Sequence, residues 1–208
     1  INHAFSLGFN HCIVGPSGSG KTSLIRVLSR LTLPTEGHIT NSFDYGFVLQ
    51  DGGLFNHLDA ETNISLPGLL NKWSPSRLEN RISELCHLCF FDPQMLKRMP
   101  NELSGGQRQR LTIMRALFLD PPLIFMDEAF SALDPVLKID LIQDFQNLLK
   151  TLNKTLIFIT HDLKEAVLLS DRVLFLSKGT ILFAGSKENF LKPTPFSEVE
   201  KWKNSFII

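Results

Sequence analysis

Eight consecutive residues, Gly15-Pro16-Ser17-Gly18-Ser19-Gly20-Lys21-Thr22, constrain this chain more than any other feature. They fit the pattern Gly-x-x-x-x-Gly-Lys-Ser/Thr in full. The apolar stretch Phe9 to Val14 precedes them and reads as a buried strand, while Leu24, Val27, Leu28 and Leu31 follow at helical spacing. Glycines let a backbone curl so that successive N–H groups point inward at phosphate oxygens. The helix that starts there adds the positive end of its dipole. Lys21 supplies a point charge for β and γ phosphates, and Thr22 a hydroxyl for Mg²⁺. A glycine-rich turn can match this pattern by chance. The strand before it and the helix after it are the context that makes residues 15 to 23, through Ser23, a phosphate site.

The rest of the chain alternates in the same way. Tyr45 to Leu49, Leu123 to Met126, Leu156 to Thr160, Val173 to Leu176 and Thr180 to Ala184 read as strands. The apolar runs Leu123–Met126 and Leu156–Ile159 suit a parallel sheet covered on both faces. Between them lies a helix with Leu137, Leu141, Phe145, Leu148, Leu149 and Leu152 on its core side. The expected fold class is α/β, with a mostly parallel central sheet. Residues 51 to 100 differ: Pro67, Pro75, Pro93 and Pro100 punctuate helical patterns, and Leu78, Ile82, Leu85 and Cys89 share one helix face. The expected division is an α/β core of residues 1–50 and 111–208 and an inserted helical segment, 51–110. A chain of 208 residues with 43% hydrophobic and 20% charged side chains can supply such a core.

Composition also narrows the function. Formal net charge is zero, which gives no basis for a nucleic-acid partner. No apolar run approaches the ~20 residues of a membrane-spanning helix, and no signal peptide is visible. Cys86 and Cys89 form a Cys-x-x-Cys, but no second cysteine pair completes a zinc site and Phe90 stands where haem attachment requires histidine. Two apolar thiols on a helix is the better reading.

Asp127-Glu128 follows the apolar run Leu123–Met126, and ligands in open α/β sheets sit beyond the carboxyl ends of the strands. Asp127 is the candidate Mg²⁺ ligand. Glu128 is the candidate general base for an attacking water. An isolated acidic pair would more simply cap the next helix; a phosphate loop in the same chain weakens that reading.

Leu103-Ser104-Gly105-Gly106-Gln107 is more selective still. Ser104 reads as a helix N-cap, and the two glycines free the N–H groups of the first turn, so one chain carries a second anion site. This run, with Arg108-Gln109-Arg110, resembles the signature of ABC ATPases. The family's other motifs follow in order. Gln50 matches the Q-loop, Leu123 to Glu128 the Walker B strand, Ser131-Ala132-Leu133-Asp134 the D-loop and His161 the switch histidine. The resemblance runs from about Phe5 to Pro193. It implies the fold of a P-loop NTPase with a helical signature subdomain, ATP and Mg²⁺ as ligands, and a head-to-tail dimer. Each ATP would lie between the phosphate loop of one subunit and Ser104, Gly105, Gly106 and Gln107 of the other. Gln50 would meet Mg²⁺ and the attacking water, and His161 the γ-phosphate.

The stretches Gly53-Leu54-Phe55-Asn56-His57-Leu58, Lys72-Trp73-Ser74, Asp120-Pro121-Pro122 and Ser131 to Pro135 are similar to importer ATPases of the glycine-betaine and osmoprotectant group. Amino-acid importer ATPases share some of these features. The implied partners are a homodimer mate or paired ATPase subunit, transmembrane permease subunits and a substrate-binding protein. The implied location is cytoplasmic, peripheral on the inner face of the cell membrane. Permease docking is expected around Gln50 and Leu54 to Leu58.

Two features depart from the family pattern. Ala129 stands where proline often follows the glutamate, which is expected to alter loop stiffness more than chemistry. The aromatic that stacks on adenine usually lies further upstream than the twenty residues before Lys21 reach, so weaker ATP affinity is expected. Phe5 is expected to pack on the sheet instead. The competing functions are a soluble ABC ATPase of DNA repair or translation and a cassette that binds without hydrolysing. The first lacks its usual coiled coils and zinc modules here; Lys21, Glu128 and His161 argue against the second.

Overall fold

A computed structural model describes residues 1–40 and 43–206. Asn41, Ser42, Ile207 and Ile208, all inside the expected α/β core, lie outside the described residues.

The apolar runs become the inner strands of one six-stranded sheet. In chain order these are β1 (His11–Val14), β2 (Tyr45–Val48), β3 (Leu123–Asp127), β4 (Thr155–Ile159), β5 (Arg172–Ser177) and β6 (Thr180–Ser186). Their spatial order is β2-β3-β4-β1-β5-β6. All neighbouring pairs run parallel except β5 and β6, which the turn at Lys178-Gly179 joins as an antiparallel pair.

Alternate residues of each strand enter different cores. Cys12, Val14, Ile124, Met126, Leu156, Phe158, Val173 and Phe175 face one cluster. Ile13, Leu123, Phe125, Ile157, Ile159, Leu174 and Leu176 face the other. Apolar side chains on both faces of a strand are stable only when both faces are covered, which explains the continuous runs. The second face receives Leu24 and Leu28 of α1 (Lys21–Leu28) and Phe5, as expected for that aromatic. The first face carries the remaining helices.

Among these, α2 (Ala60–Leu70) and α3 (Pro75–Leu88) start at Asp59 and Ser74, whose side chains accept from the Thr62 and Arg77 amides. The helix α4 (Gly105–Leu117) starts at Ser104 and runs unbroken through the boundary expected between 110 and 111. It lies close on β2 because residue 46 is glycine: a Cβ there would stand 2.1 Å from the Ala116 carbonyl oxygen. The fold is completed by α5 (Pro135–Thr151), α6 (Leu163–Leu169), α7 (Lys187–Leu191) and α8 (Ser197–Asn204). No helix among the described residues is long and apolar enough to cross a membrane.

Several expectations need correction. Leu137 is 58% exposed; the core-facing stripe of α5 begins at Leu141, and the first turn extends past it. Leu31 lies beyond α1, because Arg30 adopts a left-handed backbone (φ 56°) and ends the helix. Phe9 precedes β1, and the Arg172 guanidinium sits 4.9 Å over its ring. Leu49 likewise falls outside β2 and is exposed. Phe118, the C-cap of α4, is fully buried. Cys86 lies on α3 and Cys89 caps it; both thiols are free and packed in the core. Burial pushes the Cys89 thiol up to about 12, so it stays protonated and apolar in character.

Candidate functional site

The ends of β1, β3 and β4 meet at one edge of the sheet. The connection from β1 leads to β2 on one side of the sheet, and the connection from its neighbour β4 leads to β5 on the other, so the winding reverses between β1 and β4. Such a switch point opens a crevice beyond the carboxyl ends of the strands. An open cleft of about 430 Å³ lies there, lined by Gly15, Ser17, Gly18, Gly20, Lys21, Thr22, Ser23, Glu128 and His161. Residues from three separate stretches of the chain, the loop at 15 to 23, Glu128 and His161, thus share one cavity.

The phosphate loop is held by close backbone packing. Gly15 has φ 146°, and a Cβ there would meet the Leu176 carbonyl oxygen at 2.0 Å, so no other residue fits. Lys21 Nζ donates to the carbonyls of Gly15 (3.0 Å) and Pro16 (2.9 Å). Its ammonium is therefore curled over its own loop. Burial lowers its pKa below the usual lysine value, against the opposing pull of Glu128 and Asp127. Pro16 and Ser19 do not line the cleft. The Ser19 amide is spent within the loop on the Pro16 carbonyl, and its buried hydroxyl has no partner among the described residues.

Beneath the loop, Thr22 Oγ1 donates to Asp127 Oδ1 at 3.4 Å. Desolvation raises the Asp127 pKa above the ordinary carboxylate value, and the Thr22 bond opposes the rise. A hydroxyl and a carboxylate side by side, next to a phosphate cradle, are the hard oxygen donors that Mg²⁺ takes. That ion is usually held by one or two carboxylates and the substrate phosphates, so a larger acidic cluster is not required.

Glu128 lines the same cleft. Its backbone is left-handed, φ 46°, which costs a residue with a Cβ roughly 1–3 kcal/mol and persists only when neighbours enforce it. Here the Glu128 amide donates to the Ile159 carbonyl, while the Ser131 amide and hydroxyl both donate to the Glu128 carbonyl. The pinned backbone aims the carboxylate at two partners. Gln50 Nε2 and His161 Nδ1 each lie 3.4 Å from Glu128 Oε2. Gln50 reaches it from just past the end of β2, and His161 from just past β4.

Ser104, Gly105, Gly106 and Gln107 are placed elsewhere. Ser104 Oγ accepts from the Gln107 amide at 3.2 Å, and Gln107 Oε1 accepts from the Ser104 amide at 2.8 Å. This reciprocal cap leaves the other first-turn N–H groups of α4 available to an anion. None of the four residues lines the phosphate-loop cleft.

Two further residues shape the site without a signal in the sequence. Arg115 of α4 donates to the carbonyls of Gly52 and Gly53, each at 2.8 Å, and so grips the segment that follows Gln50. Asn63 of α2, fully buried, donates to the carbonyls of Phe55, Leu58 and Asp59 and accepts from the Phe55 amide. Each links positions that no local pattern relates.

These features define a phosphate-loop nucleotide-binding protein with a second glycine-rich, serine-capped helix start, that of α4, outside the cleft. The ABC transporter family model matches residues 1–131. A glycine betaine/carnitine/choline transport ATP-binding protein of Bacillus subtilis is 41% identical over 204 residues, covering 92% of this chain and 54% of that protein. An osmoprotectant import ATP-binding protein of Salmonella typhimurium is 35% identical over 193 residues, covering 86% of this chain and 50% of that protein. A solved dimeric ATP-binding cassette in a post-hydrolysis state, bound to ADP and Pi, superposes with a TM-score of 0.78 at 30% identity, covering 93% of this chain and 90% of that one. The chain belongs to the ABC transporter family, and its fold is that of the ATP-binding cassettes. It spans about half the length of the curated relatives it matches.

Proposed function

We propose that this chain binds ATP with Mg²⁺ and hydrolyses it as half of a head-to-tail dimer that drives solute transport. The observation that carries this reading is the division of phosphate-binding equipment within one chain. The cleft at the strand ends holds the phosphate loop, Glu128 and His161, while Ser104 to Gln107 stand apart from it. Two copies related by a twofold axis bring each half-site against its complement.

The roles follow from position. The loop amides of Ser17, Gly18 and Gly20 and the N-terminus of α1 hold phosphate oxygens. Lys21 exchanges its two loop carbonyls for the β and γ phosphates. Glu128 takes the proton of the attacking water, with Gln50 and His161 aligning its carboxylate and reaching the γ-phosphate. Thr22, Asp127 and Gln50 would hold Mg²⁺, which supplies charge neutralisation at the phosphates when bound. Across the dimer, Ser104 to Gln107 of the mate close the site with the positive end of α4. Residues 51–110 form the helical signature subdomain, and the segment Leu54 to Leu58, held by Asn63 just after the Gly52 and Gly53 carbonyls that Arg115 grips, is the surface for a permease subunit.

The cargo class is an osmoprotectant or quaternary amine, supported by the names of the relatives above; an amino acid is the alternative, resting on sequence features shared with amino-acid importer ATPases. The working assembly pairs this chain with a second ATPase subunit, membrane-embedded permease subunits and a substrate-binding protein, on the inner face of the cell membrane. Hydrolysis by the purified chain, measured with Mg²⁺ across a range of protein concentrations, tests the core of this. Specific activity that climbs with concentration supports composite sites. Activity at a constant level per chain in dilute, monomeric protein overturns them.

A further inference from the structure

The residues on either side of His161 belong to a largely buried polar cluster that the proposed chemistry leaves unused. Its imidazole is exposed, and its 3.4 Å approach to Glu128 is too long to fix the ring by itself. Its neighbours on both sides are fixed much better. Thr160 is 1% exposed and Glu165 3%. Thr160 Oγ1 donates to Glu165 Oε2 at 2.6 Å and accepts from the Asp162 amide at 2.9 Å. Asp162 Oδ1 caps α6 through the Lys164 amide at 2.7 Å.

A single cation from another element closes this cluster. Lys138, in the first turn of α5, places Nζ 2.8 Å from Asp162 Oδ2 and also bonds Glu165 Oε1. Burial opposes ionisation of Asp162, yet the Lys138 bond and the Lys164 amide outweigh it and hold its carboxyl below the usual range. Burial likewise opposes the Lys138 charge, and the two carboxylates outweigh it. Removing Lys138 would leave the Asp162 and Glu165 carboxylates without the cation they share, a strongly unfavourable arrangement.

The same stretch of chain also holds Glu128. Ser131 bonds the Glu128 carbonyl twice, and the Lys138 amide donates to the Asp134 carbonyl as α5 begins. Residues 128 to 138 therefore run from the glutamate to the cation that anchors the histidine loop. We propose that Lys138 is a positioning residue, which sets His161 against Glu128 through its ion pairs with Asp162 and Glu165. The catalytic half of this inference rests on the ATPase reading above; the structural half does not.

The test uses the purified chain and two independent readouts. Variants are Lys138→Arg, the charge-balanced pair Lys138→Met/Glu165→Gln, His161→Ala, and that pair combined with His161→Ala. The balanced pair keeps the protein foldable where Lys138→Met alone would strand Glu165. The first readout is amide hydrogen exchange of the ligand-free protein. Residues 160 to 165 should exchange about tenfold faster in the balanced pair, with β1 unchanged, and Lys138→Arg should restore protection. The second readout is steady-state hydrolysis. The pair should lower kcat about tenfold, leave KM for ATP within about twofold, and add less than about twofold to the loss in His161→Ala. Unchanged exchange in 160 to 165 overturns the positioning role outright. An additive kcat loss in the His161→Ala background shows that Lys138 acts by another route and overturns it too. A wild-type chain that hydrolyses nothing, with Glu128→Gln no different, sinks the ATPase reading; the exchange data then decide the positioning role alone.

Discussion

The amide nitrogen of Gln50 lies 3.4 Å from Oε2 of Glu128, across 78 positions of sequence. Strand β2 delivers the first residue and strand β3 the second, and these two strands are paired in parallel with Val48 opposite Met126. Each residue emerges two positions beyond that matched pair, so the sheet register itself sets their meeting. The left-handed turn at Glu128 then points the carboxylate across at Gln50 and His161.

Glu128→Gln keeps the shape and the Gln50 contact but removes the base. A general base contributes about 10²–10⁴-fold to rate, so hydrolysis should fall by that order. Nucleotide binding, which depends on the loop amides and Lys21, should persist. A fluorescent ATP analogue and a phosphate-release assay read the two properties separately. Wild-type turnover in this variant removes Glu128 from its assigned role.

Asp127→Asn should stabilise the ligand-free protein at neutral pH while abolishing Mg²⁺-dependent turnover. The folded-state pKa of Asp127 is raised above 3.8, chiefly by desolvation. A raised carboxylate pKa means the fold disfavours the charge. That cost is fully present above the raised value and fades as pH falls toward 3.8. The stability gain of Asp127→Asn should therefore be seen at pH 7 and shrink near pH 4. Thermal melts at the two pH values check it, and a gain that grows on acidification contradicts the assignment.

Asn63→Leu should cost about 1–3 kcal/mol, because Phe55 N–H and the carbonyls of Phe55, Leu58 and Asp59 lose their buried partner. For a chain of this size that is a drop in melting temperature of about 2–4 °C per kcal/mol. Proteolysis should first appear between residues 52 and 59, the segment that Asn63 and Arg115 hold together. Cleavage elsewhere at the same midpoint would mean that Asn63 stabilises the core generally.

Glu200 should make the C-terminal region acid-labile. Bonds from Lys203 and Thr194 hold its carboxyl down to about 2, against an ordinary 4.5. A depressed pKa contributes stability above 4.5, and that contribution is lost as pH falls from 4.5 to about 2. Lys203, buried, also donates to the carbonyls of Phe190 and Lys192, so losing Glu200 loosens the packing of α7 on α8. Glu200→Gln should flatten the acid limb of the stability profile. The check is near-ultraviolet circular dichroism of Trp202 between pH 5 and pH 2.

Local chemistry was enough to read the phosphate loop, because Gly15, Gly20, Lys21 and Thr22 act within one turn of chain and their spacing is the device. Ser104 was legible as an N-cap for the same reason, since a cap acts within the first turn of its helix; the reciprocal bond from Gln107 came from the structure. The buried strands were legible because a parallel sheet covered on both faces demands unbroken apolar runs. Leu137 and Leu31 were misread because helical periodicity tells which side a residue faces, not how far the opposing layer extends. The clamps made by Arg115, Asn63 and Lys138 were beyond sequence reasoning altogether. A long cationic or amide side chain binds whatever carbonyl or carboxylate the fold brings near it, and only the assembled sheet and helices decide which that is. The sequence by itself determined the phosphate cradle, the strand order along the chain and the chemical groups at each strand end. The tertiary structure alone decided that Gln50 and His161 converge on one carboxylate oxygen of Glu128, since their distances depend on sheet register and strand order, which no local spacing encodes.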